Sequence, residues 1–239
     1  MKNVGEASAR NQEFNNHFNR EKILLKIVTG SSPIIFDVGA HHGQSAEFFS
    51  EIFNSPTIYS FEPDPESFQI LKSKKNKNIQ VHNIALSDIN GELDFYRNKI
   101  SHTNSFYRVN YKSTDSIALA KSKKKSKSFE LFNLKTKVNS LTIDNFCEIN
   151  EISQIDLMKI DVQGAECKVL NGAISTLKFT NTVIVEVCLF DYYENDSSIG
   201  LVEEILSPES FRLYSVLEIS NNPMNGRTDW VELLYRKIK

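Results

Sequence analysis

The stretch "IIFDVGAHHGQSAEFF" (residues 34–49) decides how this chain is read. A short apolar run, Ile34-Ile35-Phe36, meets Asp37 and then Gly39, and Gly43 follows just before a helical pattern. Strand, glycine turn and helix in that order make the opening unit of an α/β sheet, and such sheets take ligands outside the carboxyl ends of their strands. Both glycines let the chain turn tightly and let a ligand come close to the backbone.

Outward from that turn the pattern repeats. "TIYSFE" (57–62) reads as a strand, "PESFQILKSKK" (65–75) as a helix and "IQVHNIAL" (79–86) as a third strand. Alternation of this kind implies βαβ units and a parallel sheet with right-handed crossovers. The regularity then breaks: "GELDFYR" (91–97) and "LKTKVNS" (134–140) read as strands that pair with each other around an insertion at about 98–133. It resumes with "LTIDNFCEI" (141–149, helix), "IDLMKIDV" (155–162, strand), "AECKVLNGAISTL" (165–177, helix), "TVIVEVCL" (182–189, strand) and "IGLVEEIL" (199–206, helix). "FRLYSVLE" (211–218) and "WVELLYRK" (230–237) read as a closing antiparallel pair. Upstream, apolar residues recur at helical spacing from Glu13 to Val28 and stop at Gly30. The expected organisation is an N-terminal helical extension over 1–32 followed by one α/β domain over 33–239.

Bulk properties narrow the function. The 239 residues are 40% hydrophobic and 24% charged, which suits a globular domain with a substantial core. The net charge of −2 argues against a nucleic-acid partner, which calls for a basic footprint. The polar N-terminus lacks the apolar core of a signal peptide, and no apolar run is long enough to span a bilayer. Cys147, Cys167 and Cys188 form no CxxC and no zinc spacing, so they read as reduced thiols of a cytoplasmic protein. "KSKKKSK" (121–127) has no interleaved aromatics and reads as a solvated loop.

The ligand is narrowed by what the first turn lacks. A dinucleotide fingerprint needs glycines at 39, 41 and 44, where the chain has Gly39, His41 and Gln44, and there is no P-loop GK[ST]. An acid at the strand tip is unsuited to a pyrophosphate but suits a ligand that carries a cation. S-adenosylmethionine has an ammonium and a sulfonium and no phosphate. Glu62 ends the second strand, where an acid can accept hydrogen bonds from ribose hydroxyls. Asp88 follows the third strand, as an acceptor for an adenine amino group, with Ala85 near the ring. Each acid taken singly also reads as a turn former or helix cap; three at successive strand ends favour one adenosyl ligand, held by Asp37, Gly39, Gly43, Glu62, Ala85 and Asp88.

"FDVGAHHGQSAEFF", "SFEPDPESFQIL", "NIALSDINGEL", "LTIDNF" and "DLMKIDVQGAECKVLNGA" together resemble the FkbM family of S-adenosylmethionine-dependent methyltransferases, across roughly residues 34 to 190. The family often has Asn where this chain has His41, and more commonly an acid where it has Gln163. The resemblance implies a Rossmann-like class I methyltransferase fold, a mostly parallel seven-stranded sheet with the last strand antiparallel and helices on both faces. It also implies methylation of a hydroxyl on a small molecule, such as a sugar or glycan precursor.

Methyl transfer from a sulfonium is an in-line displacement, and a hydroxyl acceptor must lose its proton. The "KIDVQGAE" string supplies Asp161 at a strand tip, Lys159 on the same face to hold it ionised, and Glu166 at a helix start. Asp161 is the first candidate for the base or for positioning the acceptor. Glu166 also suits a helix start for electrostatic reasons alone, and Lys159 equally reads as the buried partner of Glu186. His42, beside His41, is a second candidate base. Phe190, Tyr192 and Tyr193 are candidates to line an acceptor pocket. No spacing demands a metal. Two other readings stay open on the sequence: a non-catalytic adenosyl-binding protein, and a nucleotide-dependent oxidoreductase on a similar sheet.

Overall fold

The computed structural model describes residues 4–122, 132–190, 192–195, 197–223 and 225–238. Its central strand is β1 (Ile34–Val38), with the apolar composition of a strand buried on both faces. It pairs in parallel with β2 (Thr57–Phe61) on one side and β7 (Leu157–Ile160) on the other. β3 (Ile79–His82) extends the sheet beyond β2, and β8 (Thr182–Cys188) beyond β7, both in parallel. The hairpin of β9 (Phe211–Asn221) and β10 (Thr228–Lys237) closes it, giving the order β3-β2-β1-β7-β8-β10-β9 with β10 antiparallel to its neighbours. The expected seven-stranded α/β sheet is therefore present.

Alternate residues of each strand feed two apolar layers. Ile35, Ile184 and Leu234 pack under α2 (Arg20–Ile27) and α3 (Gln44–Ile52), through Ile23, Leu24, Ile27 and Phe49. Phe36 and Val38 face the opposite layer, with Phe61, Phe146 of α6 (Ile143–Ile149), Val169 of α7 (Glu166–Asn171) and Val202 of α9 (Ile199–Leu206). The second helical layer is completed by α8 (Ile174–Leu177), and α4 (Pro65–Ser73) joins β2 to β3.

Several elements differ from their sequence reading. The single helix expected over 13–28 is two, α1 (Val4–His17) and α2, separated where Asn19 turns extended and its side chain accepts from the Lys22 amide at 2.9 Å. The third strand, read as 79–86, splits: β3 stays in the large sheet, while β4 (Ala85–Leu86) joins a second sheet of order β4-β6-β5. Asn83 sits at the break and donates to the carbonyls of Glu62 and Pro63, which carries the chain off the sheet. The predicted pairing of 91–97 with 134–140 is present as β5 (Gly91–Arg97) antiparallel to β6 (Leu134–Leu141). The helix read over 165–177 breaks near Gly172, where a Cβ would meet the Ser87 carbonyl oxygen at 2.0 Å. The insertion contributes a short 3₁₀ turn, Ser101–Thr103, and α5 (Thr114–Ser122); the lysine run continues from there outside the described residues. Among the described residues no helix is long and apolar enough to cross a membrane.

Candidate active site

The carboxyl ends of β1, β2, β7 and β8 open into a cavity of about 760 Å³, and Ser101, His102 and Phe106 of the insertion cover it. At its floor Gly39 adopts φ +82°, and a Cβ there would lie 1.9 Å from the Asp161 carbonyl oxygen. Only glycine lets the β1 turn lie flush against the end of β7. Gly39 lines the cavity, whereas Gly43 is the left-handed cap of α3 and faces Leu71 of α4.

Glu62 forms one wall and is almost fully buried. Its Oε2 accepts the His41 amide at 2.8 Å and its Oε1 the Asp64 amide at 2.8 Å. Each oxygen keeps a lone pair for a further donor. Burial pushes the Glu62 carboxyl up to about 7, because the two amides carry no full charge to offset lost solvation. Ala85, Leu86 and Phe61 give the adjoining wall an apolar surface.

The opposite wall is a charged network. Asp161 Oδ2 accepts from Lys159 Nζ at 2.9 Å, and its Oδ1 from Gln163 Nε2 at 2.8 Å. The second Gln163 hydrogen goes to Glu186 Oε1 at 3.1 Å, and Tyr193 donates its hydroxyl to Gln163 Oε1 at 2.9 Å. Two carboxylates and one hydroxyl therefore fix which way the amide points. Burial alone would raise Asp161, but the ammonium of Lys159 and its hydrogen bond outweigh it and hold the carboxyl below its ordinary value. Burial opposes the Lys159 charge in turn, yet Asp161 and Asp37 push it up. Glu186, with no cation in contact, is pushed up to about 8 by burial and by the Asp161 charge. The alternative pairing of Lys159 with Glu186 gives way to Lys159 with Asp161.

Lys159, Asp161, Glu62, Gly39 and Ala85 thus meet around one cavity. Asp37, Asp88, Glu166, His42 and Gly43 lie outside its lining. Asp37 is completely buried behind the turn, on the sheet face covered by α2 and α3, with the Ala46 amide of α3 as its backbone donor. Burial pushes it up to about 6 against the pull of Lys159. Asp88 lies past β4, which has left the large sheet; it accepts from Ser87 Oγ at 2.8 Å and pairs with Lys168 at 3.4 Å. Glu166 turns back under its own loop, where Oε1 accepts the Val162 and Gly164 amides at 3.2 and 3.0 Å. His42 stacks on His41 with ring centroids 3.7 Å apart, and it is His41 that faces the cavity, its Nε2 2.8 Å from Ser101 Oγ. Burial, with the neighbouring His42 and His102, pushes His41 down to about 4.

The sequence does not disclose the bridging part of Gln163 and Glu186, nor that Asp229 and Trp230 reach the cavity. Gln163 is set by a left-handed backbone (φ +59°) and by Ser105 Oγ donating to its carbonyl at 2.6 Å, a contact from the distant insertion. Of the three aromatics after β8, Phe190 and Tyr192 line the cavity, while Tyr193 is buried behind Gln163. Asp229 and Trp230, at the start of β10, complete the mouth.

These residues fit an adenosyl sulfonium donor. Glu62 has two free acceptor positions for vicinal hydroxyls, the β1 turn exposes backbone with no side chain in the way, and an apolar wall lies beside it. The buried Asp37 carboxyl beneath the turn adds a negative field on that side.

Comparison with known proteins agrees. Over 185 residues the chain is 24% identical to the 2-O-methyltransferase NoeI of Sinorhizobium fredii, covering 77% of this chain and 74% of that protein. Over 157 residues it is 24% identical to the hexuronic acid methyltransferase AglP of Haloferax volcanii, covering 64% of this chain and 55% of that one. In fold it is similar to a structure described as an S-adenosylmethionine dependent methyltransferase from Listeria monocytogenes, with a TM-score of 0.52 at 8% identity over 92% of this chain and 98% of the other. The model of the methyltransferase FkbM domain matches residues 37–214, well over half of the chain, and the protein belongs to that family.

Proposed function

We propose that this methyltransferase transfers the methyl group of S-adenosylmethionine to a hydroxyl of a small molecule, a sugar or glycan precursor. The observation that carries the reading is the cavity itself: a backbone-held carboxylate on one wall faces a lysine-held carboxylate and a second, proton-retaining one on the other. Glu62 would hold the ribose hydroxyls, Ala85 and Leu86 would flank the adenine, and the Gly39 turn would receive the methionine end. Asp37 contributes its field from below. The donor supplies an electrophilic methyl on a cationic sulfur.

On the other wall Asp161, kept ionised by Lys159, orients the acceptor hydroxyl. Both Asp161 oxygens are already engaged and its carboxyl is held low, so it is a weak base. Glu186, whose Oε1 accepts from the Gln163 amide and from no cation among the described residues, is the better proton acceptor once ionised. Phe190, Tyr192 and Trp230 offer aromatic faces on which a sugar can stack. The names of NoeI and AglP, both methyltransferases and one acting on a hexuronic acid, support a sugar-type acceptor. The net charge of −2 supports a small molecule over a nucleic acid, and the absence of any CxxC or zinc spacing among Cys147, Cys167 and Cys188 supports a reducing, cytoplasmic setting.

Titration calorimetry with S-adenosylhomocysteine tests the donor side. Tight binding by the wild type, strongly weakened in Glu62→Ala and less so in Asp37→Ala, is expected. Unchanged binding in Glu62→Ala would remove the site assignment.

A further inference from the structure

Asp161 does not stand alone at the cavity end of the sheet. Ile184 of β8 and Leu234 of β10 pack toward α2 and α3, so Glu186 and Glu232, two places away along regular strands, turn the same way. Glu186 is the direct cross-strand partner of Glu232, and Glu232 is that of Glu218 on β9. Asp161 follows Ile160, which pairs with Val185, and so stands opposite Glu186. Four carboxyl groups therefore form one row across β7, β8, β10 and β9, on strands about 4.8 Å apart. Like charges directly opposed across strands destabilise a sheet, so such a row calls for cations or retained protons.

Two cations reach the row, one toward each end. Lys159 holds Asp161 at 2.9 Å and is also the cross-strand partner of Asp37. Arg20, the first residue of α2, donates from Nη2 to Glu232 Oε1 at 2.8 Å and lies 4.0 Å from Glu218. Its guanidinium is seated over the Phe48 ring of α3, 5.4 Å from the centroid. Glu232 is almost fully buried, which makes its charge costly. The attraction of Arg20 offsets that cost most, and the attraction of Lys159 comes next. Glu186, in the middle of the row, has neither cation in contact among the described residues.

We propose that Arg20 is a positioning residue of the active site: by holding Glu232 and Glu218, it leaves the Lys159 ammonium to Asp161. This rests on the proposed role of Asp161, kept ionised by Lys159, in orienting the acceptor. Without Arg20, Glu232 draws on Lys159, which already serves Asp161 and Asp37, and the ammonium moves off Asp161. Arg20 itself lies outside the cavity lining and acts through the row alone. Arg20, Glu218 and Glu232 also lie outside residues 37–214, so α2 and the closing hairpin support the site from beyond the segment that the family model matches.

NMR of the lysine ammonium groups at neutral pH, in the full chain with isotope-labelled lysine, tests the proposal. The Lys159 signal is assigned by its loss in Lys159→Arg, and Asp161→Asn gives its position once the partner's charge is gone. Arg20→Met should shift the signal toward the Asp161→Asn position. Arg20→Lys keeps a cation at the outer end of the row and should hold the signal near that of the wild type. The double variant R20M/E232Q removes the competing acid as well and should return the signal to its wild-type position, although the anchorage of α2 stays broken. A purely structural Arg20 would leave it displaced. An unshifted signal in Arg20→Met overturns the proposal, as does a double variant that stays displaced. If Arg20→Met does not fold, a folded R20M/E232Q supports the proposal and an unfolded one overturns it. The signal reports the pairing itself, whatever Asp161 does for the acceptor, so this test can fail while the proposed chemistry stands.

Discussion

Two carboxylates, Glu62 and Asp161, line one cavity, yet they are held in opposite ways. Glu62 rests on two backbone amides and is pushed up to about 7, while Asp161 rests on Lys159 and Gln163 and is held below its ordinary value. Burial raises both; only Asp161 has a cation in contact to reverse the sign. The Glu62 wall, where the donor is proposed to sit, is therefore built into the backbone, which changes little with individual side chains. The facing wall is built from side chains reaching in from β7, β8 and the segments beyond them, and its proton affinities depend on one lysine.

The largest effect should come from removing that lysine. Lys159→Met leaves Asp161 and Asp37 as buried acids with no ammonium; stability should fall by about 3 kcal/mol in denaturant unfolding and methyl transfer by about a thousandfold. A Lys159→Met enzyme with near-normal turnover would erase the contrast between the walls. A smaller effect is expected from Glu62→Gln, which sets an amide NH₂ against one of two backbone N–H donors. It should weaken S-adenosylhomocysteine binding by about tenfold with turnover at saturation little changed. A fall mainly in turnover would mean that Glu62 takes part in the chemistry.

Glu186→Gln sharpens the comparison through pH. A Glu186 carboxyl near 8 must lose its proton before it can accept another, so wild-type turnover should rise with pH and level off above about 8. Glu186→Gln should lose that rising limb, and a limb that survives would assign the proton to another group. The smallest effect is on stability. Asp37, Glu62, Glu166 and Glu186 all hold protons more tightly folded than unfolded, with folded values of about 6, 7, 7 and 8. Each favours the folded state fully only below the ordinary carboxyl range, and that stability is lost as pH rises through the folded value. The melting temperature should therefore drop by several degrees between pH 5 and pH 8, and Glu186→Gln should flatten the upper part of the fall.

Much of the fold was legible because strands buried on both faces write continuous apolar runs, as "IIFDV" and "TVIVEV" do, and because Gly39 marks a turn only glycine allows. The place of Glu62 on the cavity wall was legible for the same reason: it follows the last residue of β2, where position follows from local pattern. Asp37 and Asp88 show the limit of that reasoning. A strand-tip acid can point to either face of the sheet, and Asp37 shares the α2/α3 side with Ile35, away from the cavity. Asp88 depends on a strand continuing to its end, and this one leaves the sheet at Asn83. The facing wall was half legible. "KIDVQGAE" placed Lys159 and Asp161, but the Gln163 bridge needs Ser105 and Tyr193, far away in sequence, to set it.

The contact between Gly39 and the Asp161 carbonyl has a practical corollary for redesign. It ties the two walls together at their base, so the loop after β7 cannot be exchanged without disturbing the β1 turn, the proposed seat of the donor. The roof is tied in by side chains instead: Ser101 Oγ meets His41 Nε2 at 2.8 Å and Ser105 Oγ donates to the Gln163 carbonyl at 2.6 Å, so a graft between β5 and β6 that alters acceptor preference has to keep these two serines.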